Sequence, residues 1–419
     1  MIKNRMVFNE IDENLKNDSN KVIVLLWPRQ VGKTTILKYF CDKLSQVWKK
    51  TLFLDLDIFE NYEKVADYNS FLQYLVINWY DKNQSDFFYV FLDEFQRYKD
   101  FSLVLKNMYD NHKNIKIMVS WSCSLTIKNS LQESLAWRKR IINVYPLNFK
   151  EFLDFKWKNY LENWLKNIEK ISWENLYTPL REYYKLLEEF LIWWWYPDVV
   201  LTNDSDQKQK VLSDIFDLFL KKEILEYLNI DKIKEIKEIM KYLAINNWQK
   251  IVYDEVAKIS WLSVHLVKNY IEILKELFLT IELKPYFTNK NKELVKVPKI
   301  YFIDNWVRNY FLKNFNELDI RNDSWFLFEW YILSEYMKKG ADGDGMKYWW
   351  DKNLHEVDLI IENWSKRDAI EIKFKKNIKS EDLSWLKHFV KDYPNFKLHI
   401  VNLDKKLTWD IDYVLPFNI

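Results

Sequence analysis

Near its N-terminus the chain reads Trp27-Pro28-Arg29-Gln30-Val31-Gly32-Lys33-Thr34. Gly32, Lys33 and Thr34 match the phosphate-binding pattern G-x-x-x-x-G-K-[ST], except that a tryptophan stands at its first position. In this pattern, backbone N–H groups at a strand-to-helix turn surround phosphates, and the positive end of the helix dipole strengthens the attraction. Residues 21–26 are apolar enough for the strand, and residues 33–45 have a helical pattern. The stretch therefore predicts a P-loop.

Each residue of this P-loop has an expected role. We expect Gly32 to let the backbone approach the nucleotide, Lys33 to reach the β- and γ-phosphates, and the Thr34 hydroxyl to ligate Mg²⁺. Pro28 already restricts residue 27 to extended backbone, so the objection to Trp27 is mainly steric. The expected ATP-binding residues are Trp27, Pro28, Arg29, Gln30, Val31, Gly32, Lys33, Thr34 and Thr35.

A second pattern follows about sixty residues later, where an apolar run at 87–92 ends in Asp93 and Glu94. This is the Walker B form, in which Asp93 would hold Mg²⁺ and Glu94 would orient or deprotonate the attacking water. A Gly-Lys-Thr triplet arises by chance at some helix N-termini, but that alternative does not account for the paired carboxylates. The two patterns together predict an ATPase that uses Mg²⁺.

Tryptophan and glycine occur in unusual numbers. The 419 residues include 21 Trp and 4 Gly, whereas ordinary usage of about 7% would give roughly 29 Gly. Trp27 begins the P-loop, and three consecutive tryptophans at 193–195 precede Tyr196-Pro197, where a glycine turn is expected. We hypothesise that most of these codons are UGA, which certain bacterial lineages read as glycine. The alternative is a genuinely Trp-rich protein.

Bulk composition excludes several classes of protein. The 63 basic and 61 acidic residues nearly cancel, so no global field steers the chain toward nucleic acid. Cys41 and Cys123 lack metal-site spacing, which suits a reducing cytosol. The N-terminus has no apolar signal core, and the apolar stretch at 190–196 is too short to span a bilayer. We expect a soluble cytoplasmic protein of two to four domains with no membrane partner.

The pattern of apolar segments predicts how the domains are arranged. Short β-branched or aromatic runs alternate with helical stretches at first, as in a parallel α/β sheet. The chain then becomes helical and charged from Pro146 to about residue 246, and later segments resemble a helix-turn-helix, a two-stranded wing, and a helix followed by two strands. The predicted strands of the first sheet are 21–26, 51–57, 87–92, 115–120 and 140–144, and the later segments are 254–279, 278–283, 295–302, a helix from 326, 356–361 and 369–375.

The helix-turn-helix has two interpretations. If its second helix reads DNA, the exposed side chains available are Ser263, His265, Lys268, Asn269 and Lys275. Glu272 on the same face argues against DNA. A packing or protein-contact module is the interpretation we favour slightly.

Three charged residues near the C-terminus form the pattern D-x12-E-x-K. Glu371 and Lys373 share a strand face because the side-chain period of a strand is two. A hairpin turn at 364–365 would place Asp358 directly opposite Glu371, and a turn at 363–364 would make them diagonal neighbours. Either register brings the carboxylates together, as a Mg²⁺ site requires.

This C-terminal segment is similar to PD-(D/E)XK nucleases. The similarity implies that Asp358 and Glu371 ligate metal and that Lys373 takes part in catalysis, with Glu335 or Glu329 on the preceding helix as a further ligand. The spacing alone is weak, because charged residues on one strand face are usually solvated. The sequence therefore favours the nuclease-like fold more than it favours cleavage.

Several segments together resemble a prokaryotic family of AAA-type ATPases with a C-terminal domain of unknown function. The resemblance implies that Ser122 senses the γ-phosphate, and it suggests Arg138 as an arginine finger, although a surface or salt-bridged arginine accounts for Arg138 equally well. The segments are Pro28-Arg29-Gln30-Val31-Gly32-Lys33-Thr34-Thr35, Phe91-Leu92-Asp93-Glu94-Phe95-Gln96, Val119-Ser120-Trp121-Ser122-Cys123-Ser124, Pro146-Leu147-Asn148-Phe149-Lys150-Glu151-Phe152, Trp193-Trp194-Trp195-Tyr196-Pro197, Tyr301-Phe302-Ile303-Asp304-Asn305-Trp306 and Glu356-Val357-Asp358.

The predicted fold is a multidomain α/β protein. It comprises an AAA-type P-loop core over 1–150, a helical lid over 151–245, a winged helix over 246–318 and a nuclease-like α/β domain over 319–419. The predicted function is Mg²⁺-dependent ATP hydrolysis coupled to DNA or a protein client, with homo-oligomerisation as an option. The alternative is a nucleotide-gated binding module without nuclease activity.

Overall fold

A computed structural model describes most of the chain. The residues outside the description are 1–2, 27–29, 96–100, 122–134, 162–172, 194–195, 221–223, 225–231, 247–248, 290–292, 294–296, 341–344, 354, 364–365, 404–410 and 417–418, and for 101 and 173–178 only the backbone is described.

The N-terminal third forms a five-stranded parallel sheet in the order β2-β3-β4-β1-β5. Strands β1, β3 and β4 are buried along their whole length because helices cover both faces of the sheet. The predicted parallel α/β architecture is confirmed. The strands are β1 Val22–Leu26, β2 Thr51–Asp55, β3 Phe88–Asp93, β4 Ile115–Trp121 and β5 Lys139–Asn143, and the helices are α1 Val7–Lys16, α2 Lys33–Gln46, α3 Phe59–Val65, α4 Tyr68–Ile77 and α5 Phe101–Asn111.

Helix α2 follows β1 through the P-loop and packs on the sheet. Its buried side chains, Ile36, Leu37 and Phe40, recur at helical spacing and join the core of the first sheet. Gly32 precedes its first turn with φ +93°, a left-handed conformation that glycine adopts without strain. The strand before the P-loop, the left-handed Gly32 and the helix after it are therefore as the pattern predicts.

The middle of the chain is helical. Asn148 begins the first of these helices with a capping box, in which the Asn148 side chain accepts from the Glu151 N–H and the Glu151 carboxylate accepts from the Asn148 N–H. The helices are α6 Phe149–Phe155, α7 Trp173–Trp193, α8 Pro197–Leu201, α9 Ser205–Phe219 and α10 Ile233–Ile245.

A helix-turn-helix arrangement follows, formed by α11 (Tyr253–Ser260) and α12 (Val264–Glu276). Ser263 caps α12 through its hydroxyl, which accepts from the Leu266 N–H at 3.3 Å. Two antiparallel strands come next, β6 (Thr280–Pro285) and β7 (Lys299–Phe302).

The C-terminal region contains a second sheet of seven strands in the order β12-β11-β10-β9-β8-β6-β7. Strand β6 pairs in parallel with β8, so the two wing-like strands and the C-terminal strands share one sheet. The remaining elements are α13 Asn305–Leu312, α14 Ser324–Lys338, β8 Met346–Trp350, β9 Glu356–Glu362, β10 Arg367–Ile372, α15 Ser384–Asp392, β11 Lys397–Val401 and β12 Asp412–Val414.

Five tryptophans have a backbone conformation that is rare for any residue with a side chain. They account for five of the nine non-glycine residues with positive φ in the described part of the chain. All five are 66–95% exposed, so their indoles pack little against the protein. Four of them follow directly on a helix end, the position where glycine is most enriched. The five are Trp48, Trp79, Trp137, Trp157 and Trp261.

Among the helices of the described residues, we find none with both the length and the apolar character needed to cross a membrane.

Candidate functional site

The P-loop and the Walker B carboxylates lie at the same edge of the first sheet. Gly32 and Lys33 follow β1, Asp93 ends β3, and Ser120 lies near the end of β4. These strands are parallel neighbours, so their carboxyl ends meet at one edge, where α/β proteins bind their ligands. Lys33 is buried at the start of α2, with 5% of its surface exposed. The predicted positions Trp27, Pro28 and Arg29 lie outside the described residues.

Asp93 lies between two hydroxyl groups. The Ser120 hydroxyl donates to Asp93 Oδ1, and Thr34 is hydrogen-bonded to the same carboxyl group. Burial raises the pKa of Asp93, while the two hydrogen bonds act in the opposite direction. A carboxylate buried beside a P-loop threonine is the ligand pair that Mg²⁺ uses in P-loop ATPases. The donor set therefore fits the predicted metal.

Glu94 follows β3 with an unusual backbone conformation. Its φ is +53°, in the left-handed region that non-glycine residues rarely occupy. Its N–H donates to the Ser120 hydroxyl oxygen at 2.9 Å, which holds the turn in place. Such backbone outliers cluster at functional sites, because the surrounding structure must enforce them.

Ser120 contacts both Walker B residues, and the sequence did not identify it. The only signal was its place at the end of the predicted strand 115–120. The resemblance implied instead that Ser122 is the phosphate sensor, and Ser122 lies outside the described residues.

Arg138 lies at the opposite end of the sheet from the P-loop. Its carbonyl oxygen accepts from the N–H of Val22 at 2.8 Å, at the start of β1, whereas the P-loop follows the end of that strand. Five strand residues span about 16 Å. The guanidinium pairs with Asp110, with Nε–Oδ1 2.8 Å and Nη2–Oδ2 3.1 Å. Arg138 therefore forms a salt bridge within the chain and lies far from the chain's own phosphate site.

Arg5, which the sequence did not identify, fastens the N-terminal segment to the P-loop. Its guanidinium donates to the Val31 carbonyl at 3.0 Å and to the Tyr145 carbonyl at 2.6 Å, and it pairs with Glu151. A cavity of about 780 Å³ begins at Arg5 and extends to Glu335 on α14. The cavity is lined by the N-terminal segment, by α6 and by residues of the C-terminal region.

The hairpin of β9 and β10 has one of the two proposed registers, and this register brings the predicted C-terminal carboxylates together. Strands β9 and β10 pair Arg367 with Glu362 and Ile370 with Leu359, so the next pair in the same register is Glu371 opposite Asp358. This is the directly opposed register that was predicted with a turn at 364–365, residues that lie outside the description, and the diagonal register predicted with a turn at 363–364 is wrong. Asp358 Oδ2 also accepts from the Ile372 N–H at 2.8 Å, across the same strand pair.

Charged residues from four elements surround Asp358, and we call them the carboxylate cluster. They interact electrostatically with one another; Lys299, Glu329 and Glu371 are buried, and the other three are half-buried. Four carboxylates face two ammonium groups, which leaves two negative charges in excess if all are ionised. The members are Lys299, Glu329, Glu356, Asp358, Glu371 and Lys373.

Glu371 is the most buried member of the carboxylate cluster, with 0% exposure. Lys373 donates to Glu371 Oε1, while Oε2 has no hydrogen-bond partner among the described residues. Burial, followed by the charge of Asp358, raises the pKa of Glu371 well above its usual range. An unpartnered buried carboxylate oxygen needs a proton or a cation, so Glu371 fits a metal ligand.

The structure decides between the two helix residues suggested as further ligands. Tyr301 donates to Glu329 Oε1 at 3.1 Å, and burial followed by the charge of Asp358 raises the pKa of Glu329 to about 8. Glu335 lies elsewhere: its Oε1 accepts from the Phe149 N–H at 3.3 Å and pairs with Lys338. Glu329 therefore belongs to the carboxylate cluster, and the suggestion of Glu335 is wrong.

Family comparisons agree with the P-loop geometry. Residues 19–153 match the family described as an AAA domain. The chain thus begins with an AAA-type P-loop domain. Residues 184–318 match a domain of unknown function, DUF8612, and residues 326–419 match another, DUF4143.

Two relatives span most of the chain. An uncharacterized protein of Methanocaldococcus jannaschii is 27% identical over 403 residues, covering 94% of this chain and 83% of that protein. An uncharacterized protein of Haemophilus influenzae is 25% identical over 301 residues, covering 70% of each. The names of these relatives give no activity.

Two solved structures have a low similarity to part of the chain. The Walker-type ATPase of Pyrococcus abyssi has a TM-score of 0.48 and 16% identity, covering 74% of this chain and 96% of that one. DnaA of Aquifex aeolicus bound to AMPPCP has a TM-score of 0.29 and 12% identity, covering 66% and 89%. Similarity of this size does not transfer a function.

Proposed function

We propose that the chain binds ATP at the P-loop edge and hydrolyses it with Mg²⁺. The observation that carries this proposal is the buried Asp93, which hydrogen-bonds the hydroxyls of Thr34 and Ser120 directly beside Lys33. A nucleotide phosphate explains most simply why a buried lysine, a glycine turn and a carboxylate lie together at one edge of a parallel sheet.

In this proposal each group has one task. The N–H groups around Gly32 and the ammonium of Lys33 bind the phosphates, while Thr34 and Asp93 hold Mg²⁺. The metal, when bound, neutralises charge on the β- and γ-phosphates. Glu94 orients the attacking water or takes its proton, and the Ser120 hydroxyl fixes the backbone from which the Glu94 side chain extends.

We further propose that the ATPase communicates with the C-terminal region through α14. Glu329 on this helix belongs to the carboxylate cluster, while Lys338, two to three turns later, donates to the Leu147 carbonyl at 3.2 Å beside α6. Glu335 bonds the Phe149 N–H on the same side. If the segment 147–149 moves, its contacts with Lys338 and Glu335 would move α14, and α14 would move Glu329 in the carboxylate cluster.

The carboxylate cluster supports a nuclease-like metal site. Its excess of negative charge and the unpartnered Glu371 Oε2 favour a divalent cation, with Asp358, Glu371 and Glu329 as ligands. Lys373 would stabilise negative charge developing on a scissile phosphate. The alternative is a nucleotide-gated binding module, in which the domain recognises DNA or a protein client without cleaving it. The helix-turn-helix at α11 and α12, as part of a winged helix, would contact that partner.

Arg138 enters this proposal only through a second copy of the chain. An arginine finger acts on a phosphate site that it can reach, and Arg138 lies at the far end of its own sheet. In a homo-oligomer it would leave Asp110 and serve a neighbouring copy. Ser122 stays the proposed γ-phosphate sensor on the strength of the family resemblance.

The recoding of UGA as glycine is part of the same proposal. The support is that five exposed tryptophans adopt left-handed backbone at turns and helix ends, where glycine carries no steric cost. Four of the five indoles are at least 81% exposed, and the fifth, Trp157, has the Lys3 ammonium 3.0 Å from its ring centroid, so packing gives little reason for tryptophan at these positions. The protein to be assayed is therefore the chain with glycine at the UGA codons, and UGG codons at these five positions would refute the idea.

The two functions are separated by assaying ATP and DNA together. We expect Mg²⁺-dependent ATP turnover, measured with and without duplex DNA, and DNA-stimulated turnover would favour a DNA partner over a protein client. Plasmid DNA incubated with Mn²⁺ tests cleavage, with Lys373→Ala as the inactive variant. If the wild type cuts the plasmid and Lys373→Ala does not, the result supports a nuclease. If the wild type leaves the plasmid uncut but still hydrolyses ATP, the result supports the binding module.

A further inference from the structure

A second group of metal-type donors lies outside both sites. Asp351 and His355 lie in the connection between β8 and β9, and His388 lies on α15, so two separate parts of the fold supply them. One donor atom from each of the three lies within 4.8 Å of the others. The chain has five histidines, and two of them meet here.

The contacts are centred on one carboxylate oxygen. Asp351 Oδ2 lies 2.7 Å from His355 Nδ1 and 3.3 Å from His388 Nε2, and the two imidazole rings have centroids 4.6 Å apart. The second oxygen, Oδ1, accepts the N–H groups of Asn353 and His355 at 2.8 and 3.0 Å, which fixes the carboxylate orientation. Oδ2 is thus directed at the two imidazoles.

We propose that Asp351, His355 and His388 form a binding site for a first-row transition metal, with Zn²⁺ as the best fit. Two imidazoles and one carboxylate are donors that suit Zn²⁺, and three protein ligands leave a fourth position for water. Tetrahedral bonds of 2.0–2.1 Å place donor atoms about 3.3–3.4 Å apart. The distance from Asp351 to His388 already has this value, and that from Asp351 to His355 needs to lengthen by several tenths of an ångström.

Access and fold position agree with this proposal. The side chains of His355, His388 and Asp351 are 31%, 39% and 18% exposed, so an ion can enter without unfolding the region. A bound metal would fasten the β8–β9 connection to α15. One turn earlier on α15, Trp385 packs 5.6 Å from the ammonium of Lys373, so the metal would also steady the helix beside the carboxylate cluster.

A matched histidine provides the control. His399 lies 3.2 Å from Asp368 and 3.3 Å from Asp412, and thus has two carboxylate partners but no second imidazole. If an ordinary histidine–carboxylate contact were enough for Zn²⁺ binding, both places would bind it. The proposal requires that only the Asp351 site does.

The test is calorimetric titration of the metal-free full-length chain with Zn²⁺, and with Co²⁺ followed by its visible absorption. It does not depend on ATP turnover or DNA cleavage. We expect the wild type, His399→Ala and Asp358→Asn each to bind one equivalent of Zn²⁺ at the Asp351 site. Asp358→Asn disables the carboxylate cluster, so it should bind no second equivalent there. His388→Ala, His355→Ala and the size-preserving Asp351→Asn should each weaken binding by more than the roughly tenfold that even an outer-shell partner contributes.

Folding is checked by thermal unfolding in a chelator, where the variants should unfold close to the wild-type temperature. Zn²⁺ should then raise the unfolding temperature of the wild type and of His399→Ala but not of the three ligand variants. Wild-type affinity in His388→Ala and Asp351→Asn, or no saturable Zn²⁺ binding by the wild type, would overturn the proposal and leave a hydrogen-bonded trio.

Discussion

The P-loop edge and the carboxylate cluster both place lysines beside carboxylates, but the chain builds them in different ways. At the P-loop edge, Gly32, Lys33 and Thr34 are consecutive, and the backbone of one turn supplies most of the phosphate-binding groups. In the carboxylate cluster, Glu329 and Lys299 come from different elements and meet Asp358 only when the second sheet has formed. The first site is local in sequence, whereas the second depends on tertiary structure.

This difference also appears in how charge is balanced. At the P-loop edge, Asp93 has hydroxyl partners on both sides, so nucleotide and metal complete a site that is already organised. In the carboxylate cluster, Glu329 and Glu371 have raised pKa values because burial and the charge of Asp358 disfavour their ionised forms. Burial also raises the pKa of Asp93, but its two hydrogen bonds oppose that rise, so the second site should respond to pH and to cations more strongly than the first.

The largest expected effect is at the local site. Lys33→Ala should lower ATP turnover by about 100-fold or more, since it removes the charge that binds the phosphates. Lys43→Ala on the same helix is the control, because Lys43 pairs with Asp12 on the protein surface. A Lys33→Ala enzyme as active as Lys43→Ala would mean that the turn is not a nucleotide site.

The second effect concerns the first position of the P-loop. A recombinant chain with Trp27 should bind ATP poorly, and Trp27→Gly should restore binding by roughly tenfold or more, because the indole crowds the turn beside the phosphates. Equal ATP affinities, measured by titration with a fluorescent nucleotide, would contradict this steric argument.

The third effect tests the tertiary site through pH. The pKa of Glu329 is raised to about 8 in the folded chain, above the ordinary value of 4.5. The folded state then binds more protons than the unfolded state between these pH values, so stability should fall as pH rises from about 5 to 8. In Glu329→Gln the free energy of unfolding should decrease less with pH, and in the wild type added Mn²⁺ should reduce the decrease. Denaturant unfolding at several pH values measures the free energy of unfolding.

If the free energy of unfolding of Glu329→Gln falls with pH as steeply as that of the wild type, Glu329 does not titrate as a member of the carboxylate cluster. Burial raises the pKa of Asp304 to about 7, so Asp304 also makes the free energy of unfolding fall as pH rises. Asp304→Asn is the matched control, because it shows how much of the decline comes from Asp304 rather than Glu329.

The smallest expected effect is on stability, and it differs in sign between an exposed and a buried tryptophan. Trp261 has φ +57° and is 92% exposed, so Trp261→Gly should raise the free energy of unfolding by about 1 kcal/mol. Trp330 is buried, and its indole N–H donates to the Ile303 carbonyl at 3.0 Å. Trp330→Gly should destabilise the chain by several kcal/mol, on the order of other large-to-small core changes. The same sign for both substitutions would contradict the interpretation of left-handed tryptophans as glycine positions.

The local site was largely predictable from the sequence, and the tertiary site only in part. The glycine turn and the strand ending in Asp93 and Glu94 are encoded in short stretches, so their prediction needed no long-range information. Ser120 was missed because its partners are 26 and 27 residues away in the sequence. Arg5 was missed because its contact with the P-loop spans 26 residues and carries no pattern.

In the C-terminal region the sequence identified Asp358, Glu371 and Lys373 from a two-residue period but left the hairpin register open. The register is set by pairing along β9 and β10, and the choice between Glu329 and Glu335 is set by how α14 packs. Lys299 entered the cluster only because β7 joins the C-terminal sheet through β6. Strands β8, β11 and β12 were not predicted, because short apolar runs within charged sequence give little periodic signal.

The most direct test of the central claim is ATP hydrolysis by Glu94→Gln, compared with the wild type at equal nucleotide occupancy and with Mg²⁺ present. The substitution keeps the shape of the side chain and removes only its capacity to take a proton from water. We predict an unchanged ATP affinity with turnover lower by about 100-fold. Turnover equal to that of the wild type would contradict the assignment of Glu94 as the residue that activates water at the P-loop edge.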